Sequence, residues 1–333
     1  GPFNYTVTTT GTSSPCSEGT ATGTITVQAA GTWLGGTTDW DTESNWCGGI
    51  PKSSTNIIIP DLTNDPVISA TTSANCNNIN IASGATITIE SNASNSGSLI
   101  VNGTVSGTGS SEDYITYKRY TDANRYYIIS SPVAGQSFSN YLDETNDPFN
   151  LYYSSPDVFG ITDYHEPSNS WSSWYTSSTS GSFQSGKGYL IKRNNNTIPL
   201  SFSGTLNGNL TNVPVTSTGQ RYGWNAVGNP YTSALDIKDV TYGFLQQNSG
   251  VIETNYMAVY IYDDESANDY RVINLIGYDT GWYGFGTFSD DVVQTGQGFL
   301  VNIKASEVGG SGTVTRYLNF DMGTAGMQTH NTG

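Results

Sequence analysis

Two stretches of this chain are near copies: "QSGKGYLIK", Gln184 to Lys192, and "QTGQGFLVN", Gln294 to Asn302. They belong to a longer echo. "RYYIISSPVAGQSFSNYLD" (125–143) answers to "YGWNAVGNPYTSALDIKDV" (222–240), and "NLYYSSPD" (150–157) to "AVYIYDDE" (258–265). "SWSSWYTS" (170–177) answers to "DTGWYGFG" (279–286), and "LSFSGTL" (200–206) to "LNFDMGT" (318–324). The copies stand 98 positions apart at Pro132/Pro230 and 110 apart at Gly186/Gly296, so the second carries an insertion of about a dozen residues. Five blocks in one order define a duplicated unit, 112–215 and 216–325. Each copy, at roughly 80–100 residues, is long enough for a modest core of its own.

A phosphate-binding glycine loop opens a helix, whose free N–H groups and dipole face the anion. Here "YLIK" and "FLVN" follow the glycines, and both read as strands. The glycines are therefore expected to serve backbone geometry, turning the chain and packing against an aromatic ring. The rest of the composition agrees. With 38 Gly, 22 Tyr and only 12% charged residues, the chain is expected to be all-β, with many short strands and turns. The segment 232–247 is the one place where a short helix is expected.

The first hundred residues differ in character. Residues 4–28 alternate Thr, Val and Ile with small polar residues around Cys16, the pattern of a terminal hairpin, and two strands alone bury no core. This hairpin, 1–31, resembles the end of the Ig-like repeats of very large bacterial surface adhesins. Next comes "TWLGGTTDWDTESNWCGGI", with Trp33, Trp40 and Trp46. Those rings are either a sugar platform or a cap over the open end of a core. Ile57, Val67, Ile79, Ile87 and Leu99 then recur 8 to 12 positions apart, with Val105 following, among Gly and Asn suited to corners. Residues 32–111 thus read as a short β-solenoid-like segment or a sandwich of short strands. Cys47 and Cys76 are candidates for a disulfide, leaving Cys16 without a partner. The opening Gly1-Pro2 has the form of a scar left by tag removal, which makes the chain a piece of something longer. A flexible tail is expected over 326–333.

Taken together, "WLGGTTDWDTESNWCGGIP", "GNPYTSALDI", "YIYDDESANDY" and "TGQGFLV" resemble the C-terminal region of large secreted surface adhesins exported by the type IX secretion pathway of gliding bacteria. The likeness covers about residues 5 to 325. It implies an extracellular, cell-surface location and a role in adhesion, or in carrying an adhesive stalk built of other modules of the same large protein. The family's sorting domain is not seen after His330.

Chemistry is sparse in the sequence. Twelve basic against 28 acidic residues give a net charge of −16, which repels nucleic acid and anionic lipid. No run approaches the roughly 18 apolar residues that span a bilayer. The only histidines are His165, in the loop "TDYHEPSNS", and His330, so a Ser-His-Asp set has little to draw on. Glycoside hydrolysis needs two carboxylates facing across a bond; the candidates are Asp143/Glu144, Asp263/Asp264/Glu265 and Asp290/Asp291, but adjacent residues on a strand point to opposite faces, so no doublet makes a facing pair. No catalytic residues are assigned. "DDESAND" offers Asp263, Asp264, Glu265, Asn268 and Asp269 as hard oxygen ligands for Ca²⁺, or it is a solvated acidic turn. Trp171, Trp174, Tyr175, Trp282 and Tyr283 stand just upstream of the Gly-x-Gly strands. They are either rings for stacking a carbohydrate or core residues kept by both copies, with the unmatched Trp171 the best surface ring. The expected function is non-catalytic: an adhesin fragment that binds a surface glycan or extracellular polymer or acts as a spacer. The alternative is a carbohydrate-binding module of a polysaccharide-degrading enzyme.

Overall fold

The computed structural model describes residues 2–8, 19–107, 114–142, 158–176, 178–194, 196, 198–208, 210–219, 223–239, 241–263, 269–275, 291–305, 312–320 and 326–330. These residues are all-β, with two one-turn α-helices, Phe138–Tyr141 and Phe244–Gln247. The helix expected within 232–247 is confined to its end, because Ala234–Asp236 is drawn into a sheet. No helix among the described residues is long and apolar enough to cross a membrane. Pro2–Thr8 and Thr20–Thr26 form an antiparallel hairpin.

From residue 57 the chain winds as a three-sided parallel coil, the solenoid form of the two readings. Ile57–Ile59, Ile79–Ile81 and Val105–Gly107 stack as one side. Val67–Ile68, Ile87–Ile89 and Ile115–Arg119 make the second. Ser73–Cys76 and Ser98–Val101 make the third. Alternate side chains point inward, so Ile57, Ile59, Ile79, Ile81, Ile87 and Ile89 are buried. Where the chain turns a corner, ladder hydrogen bonds stop and side-chain amides replace them. Asn56 Oδ1 accepts from the amides of Asn77 and Asn78, at 2.9 and 3.0 Å. Asn78 Oδ1 in turn accepts the Thr104 N–H at 2.7 Å, one rung on.

The tryptophans cap the first rung. Trp33, Trp40 and Trp46 are at most 3% exposed, and Trp46 meets Trp33 and Trp40 edge-on at 4.9 and 4.7 Å. The Trp33 indole N–H donates to Asn64 O at 2.7 Å, and that of Trp46 to Trp40 O at 2.9 Å. They are not a sugar platform. Cys47 and Cys76 are unpaired, contrary to the candidate disulfide. Cys76 points into the coil, while Cys47 Sγ lies 3.4 Å from Gln28 O. Cys16 lies outside the described residues.

The duplication is visible strand by strand. In the first half, Tyr126–Ile129, Tyr189–Lys192, Ile161–His165 and Ser170–Trp171 lie side by side in that order. In the second, Trp224–Gly228, Gly298–Asn302, Ala258–Tyr262 and Tyr270–Asn274 do the same. The registers agree: Ile129 faces Tyr189 as Val227 faces Phe299. Likewise Thr162 faces Leu190 as Tyr260 faces Leu300. The sequence matched 150–157 to 258–265, but 150–157 lies outside the described residues and the register gives that place to Ile161–His165. In each half a second, antiparallel pair covers the inner face: Ile115–Arg119 with Leu200–Leu206, and Leu210–Ser217 with Val314–Phe320. Tyr189, Ile191, Leu200 and Phe202 fill one core; Phe299, Val301, Leu318 and Phe320 fill the other.

Ile115–Arg119 also closes the second side of the coil, so described residues on both sides of the boundary expected at 111 share one sheet and one core. Gln328–Thr329, in the segment expected as a flexible tail, pairs with Ala234–Leu235, and His330 Nδ1 lies 2.8 Å from Ser98 Oγ on the coil.

The two halves interlock reciprocally. Ile129 bridges Gln297, and Val227 bridges Lys187. The Ser130 N–H donates to Gly296 O and the Gly228 N–H to Gly186 O, both at 3.0 Å. Under the duplication these are one contact made twice, about a local two-fold axis. Glycine is required because backbones meet there. A Cβ on Gly188 would stand 2.7 Å from Val227 O, and one on Gly298 2.4 Å from Ile128 Cγ2. Gly186 (φ +80) and Gly296 (φ +69) lie against the Phe320 and Tyr117 rings, which an added Cβ would approach to 3.5 and 3.0 Å. The repeated glycines thus form the seam between the halves.

Candidate functional site

Strands that bury both faces write continuous apolar runs, and "YLI" and "FLV" do so here. Tyr189 and Ile191 point into the first core, while Leu190 points out toward the other half; Phe299, Val301 and Leu300 repeat this. The outward faces of the two four-stranded sheets meet in a third cluster, of Ile128, Leu190, Ala226 and Leu300. Around it stands a layer of rings: Tyr126, Tyr164, Trp171, Trp174, Trp224, Tyr260, Tyr262 and Tyr270.

The layer opens into a cleft of about 480 Å³, lined by Tyr164, Asn169, Ser170 and Trp171 of the first half and Trp224, Tyr260, Tyr270 and Leu300 of the second. That volume lies within the roughly 300–1,000 Å³ of small-molecule sites. One duplicated unit written twice has therefore made a single cleft with two unlike walls.

Each wall is set by a hairpin. Tyr164 and Trp171 are cross-strand partners, their rings edge-on at 5.1 Å and 82°. Tyr262 and Tyr270 hold the matching register in the second half, at 5.5 Å and 82°. Such pairs contribute about 0.5–1.5 kcal/mol beyond burial, which fixes the rings before any ligand arrives. A residue with positive φ precedes each return strand: Asn169 (φ 50) and Asp269 (φ 60). The Tyr164 hydroxyl donates to Asn169 Oδ1 at 2.7 Å, and Ser168 Oγ lies 2.8 Å from both Ser170 Oγ and His165 Nδ1. On the other wall, Trp224 meets Tyr260 and Tyr256 edge-on at 4.9 and 5.6 Å.

Burial pushes the Tyr164 phenol up to about 12, with the negative charge of Glu166 adding to the effect. Tyr260 is likewise raised to about 12, chiefly by burial, and Tyr270 is raised by burial and then by Asp269. All three hydroxyls stay protonated at neutral pH and act as hydrogen-bonding groups. The lining thus offers aromatic rings, hydroxyls and one amide.

Of the ring residues expected from sequence, Trp171 lines the cleft. Trp174 stacks on Tyr126 at 6.5 Å and 21°, in the same layer. Tyr175 leans into the first core, edge-on to Phe138 at 5.0 Å. Trp282 and Tyr283 lie outside the described residues. Tyr164, Trp224, Tyr260 and Tyr270 were not singled out, although the matched strands carrying Trp224 and Tyr260 were. Of the metal candidates, Asp264, Glu265 and Asn268 lie outside the described residues. The Asp263 N–H donates to Asp269 O at 2.9 Å, and Asp263 Oδ1 lies 3.5 Å from Arg125 Nη2 of the first half. Among the described residues no group of three His, Cys, Asp or Glu is placed to hold a metal ion.

A second cavity, of about 360 Å³, lies on the other side of Tyr164, between Ile161–His165 and Leu210–Ser217. Its charged groups are engaged in the fold. Lys187 Nζ pairs with Asp163 Oδ2 at 2.9 Å. Buried Glu166 accepts the Gly223 N–H at 2.7 Å and the Thr218 N–H and hydroxyl at 3.0 Å, tying the halves together.

Comparison with known proteins gives one family match. The model of a family described as a domain of unknown function, DUF8693, matches residues 32–319, from the capping segment of the coil to the last long strand. Neither the curated proteins nor the solved structures contain a match to the chain.

Proposed function

We propose, for a chain that belongs to the DUF8693 family, that it is a non-catalytic binding module whose inter-half cleft holds a glycan. The single observation that carries this reading is the cleft's lining: five rings, three of them protonated phenols, with Asn169 and Ser170 beside them. Sugars present C–H faces that pack on aromatic rings and hydroxyls that pair with amide and hydroxyl groups, and binding them needs no shifted acid or base. The ring pairs are locked edge-on by their own sheets, so little order is lost on binding. Within this reading the chain works extracellularly at a cell surface, as part of a larger adhesin, with the coil and the interlocked halves as a rigid support. A spacer role would use that same rigidity.

The test is a glycan-array screen followed by calorimetry on the full chain. A neutral oligosaccharide is expected to bind, and Trp171→Ala is expected to weaken it about tenfold or more, as for aromatic anchors elsewhere. Absence of binding to any soluble glycan would remove the reading in favour of the spacer.

A further inference from the structure

The duplication makes an internal comparison possible within the aromatic layer. In the first half Tyr126 faces Lys192 across the sheet, and the Lys192 ammonium lies over the Tyr126 ring, 4.7 Å from its centroid. In the second half the same register pairs Trp224 with Asn302. The larger and more electron-rich ring, at the position that lines the cleft, thus stands beside an uncharged amide. Trp binds a cation on its face better than Tyr does.

The surroundings favour a cation as well. None of the eight lining residues is Lys or Arg. Glu166, two positions from Tyr164, accepts the backbone N–H groups of Thr218 and Gly223 and the Thr218 hydroxyl. Asp269 precedes Tyr270 on the opposite wall, and both carboxylates act on the cleft phenols. The whole chain carries −16.

We propose that the cleft selects an ammonium-bearing glycan, an oligosaccharide of unacetylated amino sugars, whose ammonium takes beside Trp224 the place that Lys192 takes beside Tyr126. This rests on the glycan-binding reading above and adds the charge of the ligand. The sugar's C–H faces pack against the ring pairs, and its ammonium meets the ring face in a negative field. Acidic glycans are excluded by the same field.

Calorimetry on the full chain, with glucosamine, N-acetylglucosamine and galacturonate oligomers of equal length, tests it. The glucosamine oligomer is expected to bind about tenfold tighter than the acetylated one, with the galacturonate weakest, and added salt should narrow the gap. Asn302→Lys brings the protein's own ammonium to Trp224 and should abolish the preference. Asp269→Asn, in an exposed turn, should reduce it about two- to threefold and stands in if Asn302→Lys fails to fold. Equal binding of the acetylated and free amines, or tighter binding of the galacturonate, overturns the charge selection and leaves glycan binding standing. No binding of any of the three overturns the charge selection, and the glycan array then decides the reading it rests on.

Discussion

At Gly298 a single added methyl would meet Ile128 Cγ2 at 2.4 Å and Ile129 O at 2.9 Å, and at Gly188 it would meet Val227 O at 2.7 Å. A backbone carbonyl in a sheet does not yield cheaply. Gly298→Ala is expected to destabilise the chain by about 1–3 kcal/mol, read as a lower midpoint in urea. Gly250→Ala, which meets nothing within 4 Å, should stay within about 0.5 kcal/mol. Glu166 works on the same seam. Glu166→Ala leaves the Gly223 and Thr218 donors without their acceptor, at a cost of about 1–3 kcal/mol. Burial pushes the Cys76 thiol up to about 12, so it stays protonated and unreactive at pH 8. Alkylation at pH 8 followed by mass spectrometry should label Cys47 and spare Cys76 until the chain is unfolded. The unfolded thiol ionises near pH 9 and the folded one does not, so stability is lost as pH rises from about 9 toward 12.

Among the elements, the tryptophan cap and the ring pairs separate stability from binding. Trp40→Ala should cost about 3–5 kcal/mol by opening the first rung of the coil, and the surviving folded protein should bind glycan as before. How far sequence foretells these elements depends on what each side chain packs against. Apolar alternation ending in Asn or Gly marked the rungs of the coil, because each rung is a local unit with one face in and one out. The solenoid and sandwich readings separated only with the parallel pairing, which is set by contacts some twenty residues away. Five matched blocks exposed the duplication for the same local reason. The cleft was legible only at Trp171. Tyr164 and Tyr270 sit on hairpin ends whose importance comes from a partner sheet about a hundred residues distant. Trp224 and Asn302 carry meaning only beside Tyr126 and Lys192, a comparison that needs the strand register. Tyr175 took the core alternative while Trp171 took the cleft, because rings close together in sequence can face different sides of the sheet.

For the whole molecule, the consequence of the local two-fold is that two copies share one cleft. Every reciprocal contact, Ile129 with Gln297 and Val227 with Lys187 among them, ties the halves back to back. The cleft then draws one wall from each: Tyr164 and Trp171 from the first, Trp224, Tyr260 and Tyr270 from the second. This differs from two independent modules in tandem, each with a site of its own. Titration calorimetry of the best-bound oligosaccharide against the unaltered chain, Trp171→Ala and Tyr270→Ala is the most direct test. A single ligand per chain, with either substitution alone weakening it about tenfold or more, is the predicted result. Two ligands per chain, or binding that survives the loss of either wall, would contradict it.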